Sequence, residues 1–222
     1  SYPVMEAYCR GLQPDVIYHL AIASSSTGKE NESWLVNYTW SSELAWICRI
    51  LNIQFIFAST ALVFSAQQAG PYTLDSIPDA AEGYGFEKRM AENQVRLQNA
   101  QAKVVRLGWQ IGDAAGSNNL VDYIEREMKS NGVVRASSQW YPACSFLADT
   151  VQVLQRMMDM PAGLYMADSN ERWNLPQIID ALGQQRNADW FVRETQDYCH
   201  DQRLLDGRMG MPSLKERLPI LP

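Results

Sequence analysis

Histidine is nearly absent from this chain: His19 and His200 are the only two, and by count they rule out a histidine-rich metal centre. The four cysteines, Cys9, Cys48, Cys144 and Cys199, never form a Cys-x-x-Cys pair. Neither a zinc ligand set nor a disulfide framework is indicated, and reduced thiols of a cytoplasmic protein are expected. No uncharged apolar run approaches the roughly 20 residues that span a bilayer, and there is no signal-like start, so no membrane role is expected. Positive charge is short as well. With 19 Lys and Arg against 25 Asp and Glu the net charge is -6, which argues against binding to a phosphate backbone and excludes nucleic acid as the expected partner.

What is present is enough to bury a real core: 222 residues, 46% of them hydrophobic and 20% charged, with no internal repeat or low-complexity tract. Residues 55–88 organise the rest. Residues 55–64 are a short apolar run without helical periodicity, which suits a strand buried on both faces of a parallel sheet and carries two hydroxyls, Ser59 and Thr60. Ligands of open α/β sheets bind beyond the carboxyl ends of such strands. A polar excursion follows, and from Tyr84 a helical pattern begins. Tyr84 and Lys88 lie four residues apart, so a phenol and an ammonium share one helical face. A nearby cation favours the tyrosinate and should lower the phenol from its ordinary pKa of about 10, suiting Tyr84 to exchange protons with a carbonyl or alcohol oxygen.

Around this stretch, residues 1–13 read as a helix and 15–21 as a buried strand. Residues 24–32 form a polar loop and 33–51 a second helix. Further on, the pattern predicts a strand over 102–107, helices over 120–129 and 146–158, a strand over 163–167 and a helix over 174–182. Met157, Met158 and Met160 are read as core filler.

The Ser59-Thr60 strand followed by Tyr84-Gly85-Phe86-Glu87-Lys88 resembles the Ser/Thr, Tyr-x-x-x-Lys constellation of the extended short-chain dehydrogenase/reductase superfamily. Arg106-Leu107-Gly108-Trp109-Gln110-Ile111-Gly112 is similar to a run in its dTDP-4-dehydrorhamnose reductase group, and Glu92 also matches. His19, Leu20 and Ala21 resemble the turn that runs beside the cofactor, and Asn37 stands where the family's Asn supports the Tyr and Lys. Of the Asp-Gln-x-x-Pro-Thr segment only Gln139 and Pro142 match. The resemblance implies an α/β, Rossmann-like doubly wound parallel sheet with its N-terminal strands missing from this chain. It divides the chain into 1–112, a partial dinucleotide-binding domain with the catalytic residues, and 113–222, which completes the sheet and forms a substrate subdomain.

The resemblance further implies an NADP cofactor, with NAD as the other option, and a nucleotide-sugar substrate. Thr60, Tyr84, Lys88 and Asn37 would be catalytic, and His19, Leu20, Ala21, Ser59, Tyr84 and Lys88 would line the cofactor. Thr60, Ala61, Trp109 and Gln139 would meet the substrate. From the residues alone, Trp109 is equally an aromatic core plug, His19 a partner for a neighbouring loop, and Asn37 a capping residue. Ala61 and Leu62 replace the Asp-Glu pair of the sugar 4,6-dehydratases, which argues against dehydration, while Ser59-Thr60-Ala61 is nearer to the epimerases. A homodimer is a further expectation, by analogy. No Gly-x-x-Gly-x-x-Gly turn, which lets backbone amides and a helix N-terminus hold a pyrophosphate, occurs in the sequence, and a preceding βαβ unit is therefore expected before Ser1. A non-catalytic relative that binds such ligands and regulates a partner is the reading from another class.

Overall fold

The structure, a computed structural model, describes residues 1–23, 27–113 and 118–222. Helix α1 (Tyr2–Leu12) opens with a proline in its first turn and stops at Gln13, which takes a left-handed conformation at φ 49°. Strand β1 (Val16–His19) follows and is shorter than the expected 15–21. The expected loop over 24–32 begins with residues 24–26, which lie outside the described residues. The expected helix over 33–51 is three pieces in succession: α2 (Glu32–Trp34), a π turn (Leu35–Thr39) and α3 (Trp40–Leu51).

Strand β2 (Gln54–Thr60) is buried from Phe55 onward, and Phe55, Ile56 and Phe57 are at most 1% exposed. Burying each contributes about 1.5–3 kcal/mol, which explains why an unbroken apolar run becomes a central strand. It ends at Thr60, not at Phe64. The Thr60 hydroxyl accepts the Leu62 amide at 3.2 Å and so caps a 3-10 turn, Ala61–Val63, in place of further strand. Helix α4 (Gly83–Gln98) and strand β3 (Lys103–Leu107) come next.

The remaining elements are β4 (Trp109–Ile111), α5 (Leu120–Asn131), β5 (Val134–Ser137), β6 (Trp140–Tyr141) and β7 (Cys144–Phe146). After these come α6 (Leu147–Arg156), β8 (Gly163–Ala167), α7 (Leu175–Arg186), β9 (Val192–Thr195), β10 (His200–Asp201) and α8 (Leu214–Arg217). The short strands β4, β5, β6, β7, β9 and β10 carry too little pattern to be read from sequence. Helix α7 starts with a capping box, Asn174 accepting the Gln177 amide and Gln177 accepting the Asn174 amide, both at 3.1 Å. The methionine cluster splits: Met157 is fully buried, whereas Met158 is 39% exposed because the helix has by then tightened into a 3-10 turn.

The chain forms two compact units. The first comprises Ser1–Ser65, Ile77–Arg106 and Leu154–Tyr165; the second comprises Ala66–Ser76, Leu107–Val153 and Met166–Pro222. In the first unit the sheet runs in the order β1-β2-β3-β8, with β1 parallel to β2 and His19 opposite Phe57. Its core gathers Ala45, Ile47 and Cys48 of α3, Phe55 and Phe57 of β2, and Ala91 and Val95 of α4. The second unit has a separate core around Leu120, Ile124, Trp173, Leu175, Ile178 and Leu182, and parallel pairs β4 with β7, β5 with β9 and β6 with β10. The cysteines are free; Cys9, Cys48 and Cys144 are buried and Cys199 is exposed. No described helix is long and apolar enough to cross a membrane.

Candidate active site

Alternation along β2 sends Phe57 and Ser59 to the same side, towards α4. There the Lys88 Nζ lies 4.3 Å from the Phe57 ring centroid, and the Ser59 hydroxyl donates to Glu92 at 2.6 Å. Arg106, near the end of β3, clamps the same Glu92 carboxylate with hydrogen bonds of 2.9 and 2.7 Å. One helix face therefore touches the ends of two neighbouring strands.

Gly85 sets how closely α4 approaches the turn after Thr60. A Cβ there would fall 2.0 Å from the Leu62 carbonyl oxygen and 3.2 Å from the Ala80 Cβ, so only glycine lets the turn carrying Tyr84 rest on the turn that Thr60 caps. The structure brings Tyr84 and Lys88 together, with Nζ 5.9 Å from the Tyr84 ring centroid. Among the described residues no hydrogen bond joins Thr60 to either of them. Lys88 is 1% exposed, and its ammonium has no acceptor among the described residues. Burial pushes it down to about 8, with Glu92 opposing. Desolvation outweighs the carboxylate because Glu92 is already committed to Arg106 and Ser59.

The expectation that Lys88 lowers the Tyr84 phenol is overturned. Burial and then the negative charge of Glu87 push it up to about 12. Spacing along the helix identified the cation but not the carboxylate, and desolvation is invisible in spacing.

Asn37 sits in the π turn, 1% exposed. Its amide nitrogen donates to Glu87 at 2.8 Å and to the Ser33 hydroxyl at 3.2 Å, while its backbone carbonyl accepts the Ser41 hydroxyl at 2.9 Å. It thus reaches α4 through Glu87, between Tyr84 and Lys88. The Asn37 Oδ1 is buried with no partner among the described residues. Because Ser41 donates to Asn37, it accepts at 3.0 Å from His19 Nε2, which fixes the protonated nitrogen of that ring. His19 is buried against Phe55 and Phe57, with ring centroids 6.2 and 5.8 Å away, and burial followed by the Lys88 charge lowers it to about 4. The ring is a neutral strut between β1 and the π turn. Leu20 and Ala21, just past β1, are exposed, and Ala61 is buried. Ser41, Gly85 and Glu87 were missed as site residues by the sequence reading; only Gly85, inside the Tyr-x-x-x-Lys run, gave a signal.

In the second unit the Trp109 ring has Tyr123 at 5.2 Å and Trp140 stacked at 5.9 Å and 24°, all three packed against the core. Gln139 is exposed.

A family model described as the RmlD substrate binding domain matches residues 3–171. The spore coat polysaccharide biosynthesis protein SpsK of Bacillus subtilis (strain 168) is 24% identical over 156 residues, covering 69% of this chain and 54% of that protein. The probable low-salt glycan biosynthesis reductase Agl14 of Haloferax volcanii is 30% identical over 112 residues, 49% of this chain and 37% of that protein. The chain thus spans about half the length, or less, of the curated relatives it matches. Among solved structures, dTDP-4-dehydrorhamnose reductase from Bacillus anthracis str. Ames in complex with NADP superposes with a TM-score of 0.84 at 17% identity, over 100% of this chain and 84% of that one. WbmG of Bordetella bronchiseptica in complex with NAD and UDP gives 0.77 at 15% identity, over 96% and 72%. At these identities the structural likeness establishes the Rossmann-like α/β fold.

Proposed function

The chain belongs to the RmlD substrate binding domain family, and on that premise we propose that it carries the catalytic residues of an NADP(H)-dependent reductase of nucleotide-linked 4-keto sugars. The observation that carries this reading is the Tyr84–Lys88 pair: a phenol beside a buried ammonium with no acceptor among the described residues, on the turn that rests against the Thr60-capped end of β2. The residues present fit the nicotinamide end of a dinucleotide, because that ammonium offers donors a ribose hydroxyl can accept. NAD-linked and NADP-linked relatives share this requirement, and the nearest named structures contain one or the other.

The nicotinamide, when bound, supplies the hydride. Tyr84 then gives its proton to the carbonyl oxygen that becomes the alkoxide. A phenol held near 12 is protonated throughout the physiological range, which suits a donor. Thr60 donates a hydrogen bond to the same oxygen and orients it, and Lys88 places positive charge beside the developing negative charge. Asn37 holds the helix through Glu87. His19, Leu20, Ala21 and Ser59 are assigned to the cofactor side, and Ala61, Trp109 and Gln139 to the substrate, on the resemblance.

Epimerisation is the second reading, favoured by Ala61 following Ser59 and Thr60. The test is NADPH oxidation by the protein with a panel of nucleotide 4-keto sugars, alongside Tyr84→Phe. Turnover lost in the variant with ligand binding kept supports the reductase. Sugar inversion without net NADPH consumption supports the epimerase, and binding without any turnover in the parent protein supports a regulator.

A further inference from the structure

Glu87 stands between Tyr84 and Lys88 in sequence but turns its carboxylate to a different element. Its Oε2 accepts from the Ser33 hydroxyl at 2.6 Å and from the Asn37 amide at 2.8 Å, and that amide also reaches Ser33 at 3.2 Å. These three side chains close a triangle between α4 and the helical segment that holds the π turn. On the far side of the turn, Ser41 secures the Asn37 carbonyl and His19 secures Ser41. Aromatic packing reinforces the near side, with Trp34 stacked on Tyr38 at 4.3 Å and tilted against Phe86 at 6.2 Å.

A π turn holds one residue more than the α-helix around it, and such turns persist where something outside the helix retains them. Here the amide and carbonyl of Asn37 are both gripped, and Glu87 is the one charged member of the grip. Hydrogen bonds to an ionised carboxylate are stronger than neutral ones, and taking this one away strands a buried amide.

We propose that Glu87 is a positioning residue: by gripping Ser33 and Asn37 it clamps the π turn against α4 and fixes where that helix presents Tyr84 and Lys88. The charged and titratable groups that face the pair are Glu87 and Glu92 on α4, His19 on β1 and Arg106 on β3. Glu92 and Arg106 neutralise each other, and His19 is uncharged at neutral pH. Glu87 is left as the carboxylate that bears on the phenol. Its catalytic consequence rests on the reductase reading; the clamp itself does not.

Three substitutions test the proposal. Glu87→Ala removes the grip, Glu87→Gln keeps the acceptor and drops the charge, and Asn37→Leu removes the amide from the other end. With a nucleotide 4-keto sugar and NADPH, Glu87→Ala should lower kcat by about 10- to 100-fold with KM for the sugar changed less than about threefold, the pattern of a misplaced catalytic group. Glu87→Gln should recover most of that loss, and Asn37→Leu combined with Glu87→Ala should add little. The clamp is also read without turnover, from the Tyr84 ring-carbon resonance of tyrosine-labelled protein, assigned by its disappearance in Tyr84→Phe. That resonance should move in Glu87→Ala and move less in Glu87→Gln. An unmoved resonance in Glu87→Ala, unchanged kcat with only a lower melting temperature, or Glu87→Gln as impaired as Glu87→Ala overturns the proposal. If the parent protein turns over no sugar, the reductase reading fails and the resonance alone decides the clamp.

Discussion

Arg106 holds Glu92 through two parallel hydrogen bonds, the two side chains being only 3% and 6% exposed, and Ser59 at the tip of β2 donates to the same carboxylate. The guanidinium also lies 4.9 Å from the Phe64 ring centroid. This fork ties the ends of β2 and β3 to the helix that bears Tyr84 and Lys88, so its integrity bears on both stability and geometry.

Arg106→Leu should therefore leave a buried carboxylate without its counter-charge and cost about 3–5 kcal/mol. Replacing both partners by apolar residues should cost clearly less, since no lone charge remains. Urea denaturation of the two variants decides this; equal losses would contradict the account.

Lys88 titrates at about 8 in the fold against 10.5 as an ordinary lysine. Between these values the unfolded chain binds the proton and the folded one does not, so this group makes stability rise with pH across that window, and it penalises the fold at pH 7. Lys88→Met should accordingly be more stable than the parent at pH 7 while losing reductase activity. Turnover of the parent should decline above about pH 8, as the ammonium loses its charge. A falling limb that begins only above pH 10 would remove Lys88 from its assigned role.

His19 is held at about 4 rather than 6.5. As pH falls from 6.5 towards 4, the unfolded chain takes up a proton that the buried ring refuses, so the stability linked to neutral His19 is present above 6.5 and lost on acidification through that window. His19→Gln keeps a donor for Ser41 but cannot titrate. Its stability should depend on pH over 4–6.5 with a slope smaller by up to one proton, measured by denaturation at several pH values.

At Gly85 a methyl group would collide with the Leu62 carbonyl, whereas a Cβ at Gly11 in α1 meets nothing within 4 Å. Gly85→Ala should cost about 1–3 kcal/mol and lower turnover. Gly11→Ala should gain about 0.5–1 kcal/mol and leave turnover alone. Comparing their melting temperatures separates close approach from a general glycine effect.

The sequence made β2, the Ser59 and Thr60 hydroxyls and the Tyr84–Lys88 spacing legible, because each rests on local periodicity. It missed where β2 ends, since Thr60 closes the strand through a side-chain contact to Leu62 that competes with the ladder. The π turn was hidden too. One extra residue barely disturbs the apolar pattern of 33–51, and what retains it, Glu87 and Ser41, comes into place only in three dimensions. The direction of the Tyr84 shift failed for the same reason, burial being a property of the assembled fold. Trp109 was open to two readings, and its packing with Tyr123 and Trp140 shows what surrounds it in the second unit.

The surplus residue at Leu35–Thr39 acts as a phase shifter. Deleting any one of those five positions would let the segment relax into an ordinary α-helix and swing everything after it by about 100°, carrying Ser41 off His19 and rotating Ala45, Ile47 and Cys48 away from the sheet. Length variation is thus barred from a stretch whose individual side chains, apart from Asn37, tolerate exchange for others of similar size.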